Sequence, residues 1–237
     1  MANMAHVLKP AFKAFIENNS KLLIATRLAP TELEHVKIYH EFMRPKSGSI
    51  IVDLGCGTGE CGALLQQIDP SLEVINVVND DALIQLMDNL GRMCINASFE
   101  NTNLAAGIAD NVMFNESIGH GDIDRAFKEA NRLLKDGGVV TIKDFSITDQ
   151  TKTEIALESW GYIIHQPYTF IETAYKNGFS IDTMLHPEMY MKHWYDLIGK
   201  NKAVKDSAAQ HDPNTLPLCM VLYRFIKGGL SGKSRDC

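Results

Sequence analysis

A doubly wound α/β fold is what this sequence predicts, built on a mostly parallel, seven-stranded sheet with helical cap elements. Two observations carry the expectation. From Ile50 onward, short apolar and β-branched runs alternate with segments of helical period, as in strand–helix–strand units. The first of these runs ends in IVDLGCGTGE, residues 51–60, where three glycines follow a strand and open a helix. Open parallel sheets hold their ligands in the crevice beyond such strand ends.

The elements follow in order. Residues 50–54 form the first strand and residues 60–68 a helix; residues 73–78 are the second strand, and residues 81–90 a helix with Asp81 as its N-cap. Residues 93–97 and 111–115 give the third and fourth strands. An amphipathic helix spans residues 122–134 with Asp122 as N-cap, and Asp136-Gly137-Gly138 makes a stop and turn before a strand at 139–144. Residues 169–177 are helical and are stopped by Gly178, residues 179–184 form a short strand, and residues 218–226 form a long last one. The order through Asp144 is that of one Rossmann-like domain. Residues 9–44, two helices broken near Ala29-Pro30, and an aromatic-rich helical insertion at 187–203 lie outside this core and are expected to cap the crevice. A single domain is expected over residues 1–227, with a core at 49–145 and a disordered tail at 228–237.

The chain of 237 residues suits one domain with a cap, and its 45% hydrophobic and 22% charged content indicates a soluble globular protein. A net charge of −6 with no basic face argues against nucleic acid as a partner and favours a small-molecule substrate. No run reaches the roughly 18 apolar residues of a membrane span. Residues 1–20 carry polar and charged breaks foreign to a signal peptide, so a cytoplasmic location is expected. The five cysteines, Cys56, Cys61, Cys94, Cys219 and Cys237, form no C-x-x-C pair and are odd in number, which suggests neither a metal site nor a disulfide framework.

The glycine loop discriminates among ligands. A phosphate-binding loop of the nucleotide hydrolases ends in Gly-Lys-Ser/Thr, which is missing here, and a dinucleotide loop needs a third glycine where Glu60 stands. Asp53 and Glu60 flank the glycines, and no Lys or Arg occurs from Ile50 to Asp69, so the loop repels phosphate. S-adenosylmethionine (SAM) suits such a field, with its sulfonium and ammonium cations, ribose and adenine and no phosphate. The run Val52-Asp53-Leu54-Gly55-Cys56-Gly57-Thr58-Gly59 closely resembles the first motif of the class I SAM-dependent methyltransferases. The resemblance implies that Asp53, Gly55, Cys56, Gly57 and Gly59 hold the cofactor. It places Asn79 at the ribose position, or Asp80 if the register slips by one, where the family usually has an acid. Ser98 falls where an acid often meets the adenine amino group, Phe99 becomes a candidate stacking partner, and Asn115 is counted with the cofactor residues.

FNESIGHGD, residues 114–122, falls at the end of the fourth strand, where the acceptor would lie. An alkene carbon that is methylated becomes a cation, which aromatic faces or a carboxylate must stabilise before a proton is lost. Glu116 suits that role, His120 that of a base or of a group orienting one, and Tyr162, Tyr168, Tyr190, Trp194 and Tyr195 an aromatic cap. Glu116 and the run Arg132 to Gly138 resemble the sterol, terpenoid and cyclopropane-forming C-methyltransferases, whereas Lys143-Asp144-Phe145 is similar to phosphobase N-methyltransferases. The expected function is SAM-dependent methylation of a small molecule, with an isoprenoid-like alkene carbon favoured. The alternatives are an N- or O-methyltransferase of small amines or phosphobases and, from another class, a SAM-binding module without catalysis.

Overall fold

The computed structural model describes residues 33–149, 151–157, 161–187 and 218–228. Helix α1 (Leu33–Met43) buries Val36, Tyr39, Phe42 and Met43, the stripe its helical spacing dictates. The crevice-forming units follow as β1 (Ile50–Leu54), α2 (Glu60–Ile68), β2 (Glu73–Val78), α3 (Asp81–Asn89), β3 (Ile95–Asn96) and β4 (Ala109–Asn115). A 3-10 turn at Ile118–His120 leads to α4 (Ile123–Leu133) and β5 (Leu134–Ile147). Then come β6 (Glu154–Leu157), β7 (Tyr162–His165), α5 (Pro167–Lys176), β8 (Phe179–Leu185) and β9 (Leu218–Lys227).

All nine described strands join one sheet in the order β3-β2-β1-β4-β5-β7-β6, with β9 antiparallel along β5 and β8 on β9. Strands β1 to β5 pair in parallel, as the glycine loop and the intervening helices require. Alternate strand residues supply two cores. Val52, Phe114, Ile142 and Tyr223 pack with Phe127 of α4 and Phe170 of α5 on one face. Ile51, Met113 and Leu222 pack with Val36 and Tyr39 of α1 and Leu65 of α2 on the other.

Three expectations are corrected. The sheet has nine described strands instead of seven: the β6–β7 hairpin consists of two four-residue strands, too short for periodicity to reveal. It extends the sheet where β4 ends, since β4 pairs with β5 as far as Asn115 opposite Lys143, and beyond this Ser146 pairs with His165 of β7. The N-cap of α3 is Asp80 and not Asp81; its Oδ1 accepts from the Leu83 N–H at 3.0 Å, and Asp81 is the first helical residue. Two adjacent aspartates are both competent caps, and composition alone does not choose between them. Finally, β5 starts at Leu134, because the Asp136-Gly137-Gly138 stretch is a bulge within it, where the register passes from Ala109 opposite Leu134 to Asn111 opposite Val139.

Asp122 does cap α4, its Oδ1 accepting from the N–H groups of Asp124 and Arg125 at 2.9 and 3.1 Å. Of the expected caps only the part from Leu33 onward is described, and it is helical to Met43. The 187–203 insertion beyond Pro187 and the tail beyond Gly228 lie outside the described residues. Among the described residues no helix is long and apolar enough to cross a membrane.

Candidate functional site

The glycine loop is stapled to the end of β2. The N–H groups of Gly55 and Cys56 both donate to the Val77 carbonyl, at 2.9 and 3.1 Å, and the Gly59 N–H donates to the Cys56 carbonyl at 2.9 Å. Gly55 and Gly57 have φ of 79° and 57°, a region that glycine enters without steric cost. Their surroundings differ. A Cβ at Gly55 would lie 2.6 Å from the Ser117 Cβ, whereas a Cβ at Gly57 would meet nothing within 4 Å among the described residues. Gly55 is therefore needed for packing against the β4 mouth, whereas the loop backbone at Gly57 faces open space among the described residues.

Asp53, the last residue but one of β1, is 1% exposed, and neither of its carboxylate oxygens has a hydrogen-bond partner among the described residues. Burial pushes its pKa up to about 7. Glu60 is not a free acid: Arg92, from the loop after α3, pairs with it and donates to the Thr58 carbonyl at 2.8 Å. This corrects the expectation of a loop without cations, because a guanidinium distant in sequence neutralises one of its two acids and braces it. Cys56 is half-buried, its Sγ 3.7 Å from the Met87 Sδ, and burial holds its thiol well above the usual range, so it is a packing residue and no nucleophile.

At the next strand ends, Asn79 is exposed just beyond β2, while Asp80 is turned into the start of α3. After β3, the Ser98 Oγ accepts from the Glu100 N–H at 3.2 Å, within its own turn. Phe99 meets Phe114 edge-on at 5.9 Å. Cβ atoms at Gly55 and Gly121 would come within 3.7 and 2.5 Å of its ring, so Phe99 is a wedge between the glycine loop and the β4 mouth.

The mouth of β4 collects the charged groups. Glu116 has φ of 55°, uncommon for a residue with a side chain. Lys143 grips it twice, through a 2.7 Å bond from the Glu116 N–H to the Lys143 carbonyl and through a 2.9 Å ion pair between Nζ and Oε1. The two side chains are only 9% and 2% exposed. Asn115, opposite Lys143 in the sheet, has an Oδ1 without a partner among the described residues. The Ser117 Oγ donates to the Leu54 carbonyl at 2.6 Å and ties this mouth to β1.

His120 lies under the β6–β7 hairpin. Its Nδ1 is 3.2 Å from the Gly161 carbonyl, and its ring is perpendicular to that of Tyr162 with centroids 4.6 Å apart. The Tyr162 hydroxyl donates to Asp144 Oδ1, which also accepts from the Phe145 N–H at 2.6 Å. Burial lifts the Asp144 carboxyl to about 7, with the Glu116 charge adding to the rise and the Tyr162 bond opposing it. Burial also raises the Tyr162 phenol, which stays protonated. Of the five expected cap aromatics, Tyr162 is at the mouth and Tyr168 is exposed on α5; Tyr190, Trp194 and Tyr195 lie outside the described residues.

Sequence reasoning left Lys143 and Asp144 out of the site. The available signal was a Lys-Asp pair inside an otherwise apolar strand, since such charges are almost never fully buried unless paired.

Residues 52–142, from β1 to β5, match the methyltransferase domain family. This stretch, less than half of the chain, is thus similar to methyltransferase domains. The chain is 30% identical over 110 residues to an uncharacterized protein, MJ1252, of Methanocaldococcus jannaschii; that match covers 44% of this chain and 40% of the relative's length. Among solved structures, geranyl diphosphate C-methyltransferase from Streptomyces coelicolor, in complex with Mg2+, geranyl diphosphate and S-adenosyl-L-homocysteine, superposes with a TM-score of 0.66. It is 16% identical, over 81% of this chain and 79% of that one. A phosphoethanolamine N-methyltransferase of Haemonchus contortus, in complex with phosphomonomethylethanolamine and S-adenosylhomocysteine, gives 0.68 at 16% identity, over 82% and 52%. At such identities the likeness is one of fold.

Proposed function

We propose that this chain methylates a small molecule with SAM, at an alkene carbon of an isoprenoid-like acceptor. Asp53, Gly55, Cys56, Gly57 and Gly59 would hold the cofactor with Asn79 at the ribose, and Ser98, Phe99 and Asn115 would complete that side. The open backbone at Gly57 beside the unpartnered Asp53 carboxyl suits a ligand that is cationic and free of phosphate. SAM supplies an electrophilic methyl group. The protein's own share of the chemistry is alignment, exclusion of water and handling of charge.

One observation carries the acceptor reading: Glu116, held by Lys143 in a left-handed backbone at the β4 mouth, with Asp144 next along β5 and the Tyr162 and His120 rings beside it. Strained backbone at a strand mouth is a functional signature. Carboxylates and ring faces together stabilise a cation forming on the acceptor, and Glu116 takes up the proton that restores the double bond. His120 orients this wall from the turn. The solved relatives that act on geranyl diphosphate and on a phosphobase support small-molecule methylation in this fold.

Labelled SAM incubated with a metabolite extract identifies the acceptor. With that acceptor, Glu116→Gln is expected to keep SAM affinity within a few-fold and to lower turnover by about 100-fold or more, the scale of a lost general base. Wild-type turnover in Glu116→Gln would make the carboxylate structural. A second reading, N-methylation of an amine, is favoured by Asp144, whose carboxyl titrates near neutrality and suits removal of an ammonium proton. In that case Asp144→Asn abolishes turnover and Glu116→Gln spares it.

A further inference from the structure

Asp53, the last residue but one of β1, carries a carboxyl group that the fold has removed from water and that has no hydrogen-bond partner among the described residues. An unpaired buried carboxylate is costly enough that such a group usually takes up a proton. Among the described residues, the neighbouring elements have their cations engaged elsewhere. The Arg92 guanidinium is committed to Glu60 and Thr58, and Lys143 to Glu116. The glycine loop and α2 contribute the Cys56 and Cys61 thiols, both of which interact electrostatically with Asp53. Its register neighbours are Asn76 of β2 and Met113 of β4, and α1, packed on that side of the sheet, carries the buried His35.

We infer that Asp53 stands protonated in a large fraction of the ligand-free protein and releases that proton to solvent when SAM binds, so that cofactor capture is coupled to deprotonation. The inference rests on the reading of residues 51–59 as the cofactor loop. The balance is simple: the neutral acid and the cationic ligand give the carboxylate–ligand pair and one proton. The physical cause is the opposite charge that the ligand brings to a group held neutral by burial alone. With the Asp53 carboxyl near 7, about half a proton should leave per SAM bound at pH 7, and below pH 6 affinity should rise about tenfold per pH unit.

Calorimetric titration of SAM into the full chain, in buffers of different ionisation enthalpy at pH 6, 7 and 8, counts the protons. The wild-type protein should release close to one proton per SAM at pH 6, about half a proton at pH 7 and little at pH 8. Asp53→Asn should bind without that release; the ligand's own ammonium titrates equally against both proteins, so their difference isolates Asp53. Asp144→Asn, which removes the other buried carboxyl, should release as the wild type does. Binding with a buffer-independent enthalpy in the wild type overturns the inference while leaving the cofactor loop standing, and so does a release abolished in Asp144→Asn. No SAM binding at all overturns the cofactor loop itself. If Asp53→Asn fails to fold, the wild-type and Asp144→Asn titrations decide.

Discussion

At the scale of the residue, the site is a set of side chains whose roles follow from where the backbone leaves room. Gly57 has a left-handed φ and, among the described residues, nothing within 4 Å of its missing Cβ. Gly57→Val is thus expected to cost about 1–2 kcal/mol in backbone strain, and, by filling that opening, to weaken SAM binding at least tenfold in a protein that still melts cooperatively; calorimetry alongside thermal melting separates the two effects. Asp80 is engaged in capping α3, and the ribose contact is proposed for Asn79. Asp80→Ala removes the cap of α3 and should destabilise by about 0.5–2 kcal/mol, with SAM affinity little changed. Asn79→Leu should instead weaken SAM by about 1–3 kcal/mol and Asn79→Asp should hold or tighten it, as expected for loss or strengthening of a ribose contact. A silent Asn79→Leu beside a SAM-defective Asp80→Ala would transfer the ribose role to Asp80. The glycine loop was legible in the sequence because its chemistry is local, with strand, acid and glycines in one short run. The grip of Lys143 on Glu116 and of Arg92 on Glu60 was not, because each joins residues that only the parallel sheet and its loops bring together.

At the scale of the element, the β6–β7 hairpin decides what covers the β4 mouth. It is held there by the Tyr162 hydroxyl on Asp144, by the Gly161 carbonyl at His120, and by Gly119, where a Cβ would come within 2.4 Å of the Tyr162 ring. Tyr162→Phe keeps the ring and deletes the donor. Removing it should destabilise the protein by about 1–3 kcal/mol, the cost of leaving a buried acceptor short of its partner. Because the Tyr162 bond opposes the rise at Asp144, that carboxyl should titrate at higher pH in the variant, which carbon-detected resonance of labelled aspartate would show. Gly119→Ala should displace the hairpin, read as faster amide exchange across Tyr162–His165 with little change in α2 or β1. The long elements were readable from their period, and β2 and α2 occur where their patterns place them. The hairpin was unreadable for a physical reason: its strands are held by what they pack on, and four residues carry too little pattern of their own.

At the scale of the whole molecule, the two buried acids make ligand-free stability depend on pH in an unusual direction. Asp53 and Asp144 each titrate near 7 when folded, against a carboxylate value of 3.8. Between these limits the folded state binds more protons than the unfolded chain, so stability is present at low pH and falls as pH rises from about 4 to 7. His165 works the other way: burial lowers its pKa, and it favours the folded state as pH rises through the histidine range. Melting temperatures of the ligand-free protein should therefore be lower at pH 8 than at pH 6, and Asp53→Asn or Asp144→Asn should each flatten that decline; a wild-type melting temperature rising from pH 6 to 8 would refute the burial argument for both acids. The parallel arrangement of strands β1 to β5 was foreseeable from the alternation of strands and helices, but the division of β5 between β4 and β7 was not, because it arises from where β4 stops. That division has a consequence for descent. The hairpin joins β5 through the register pair of Ser146 and His165, whereas the glycine loop is built into β1 and β2, on the far side of β4. A lineage can therefore rewrite the hairpin, and with it the proposed acceptor wall, while the glycine-loop half, the proposed cofactor site, is inherited unchanged. Grafting the corresponding hairpin of a relative between Asp149 and Gln166 is the laboratory form of that exchange.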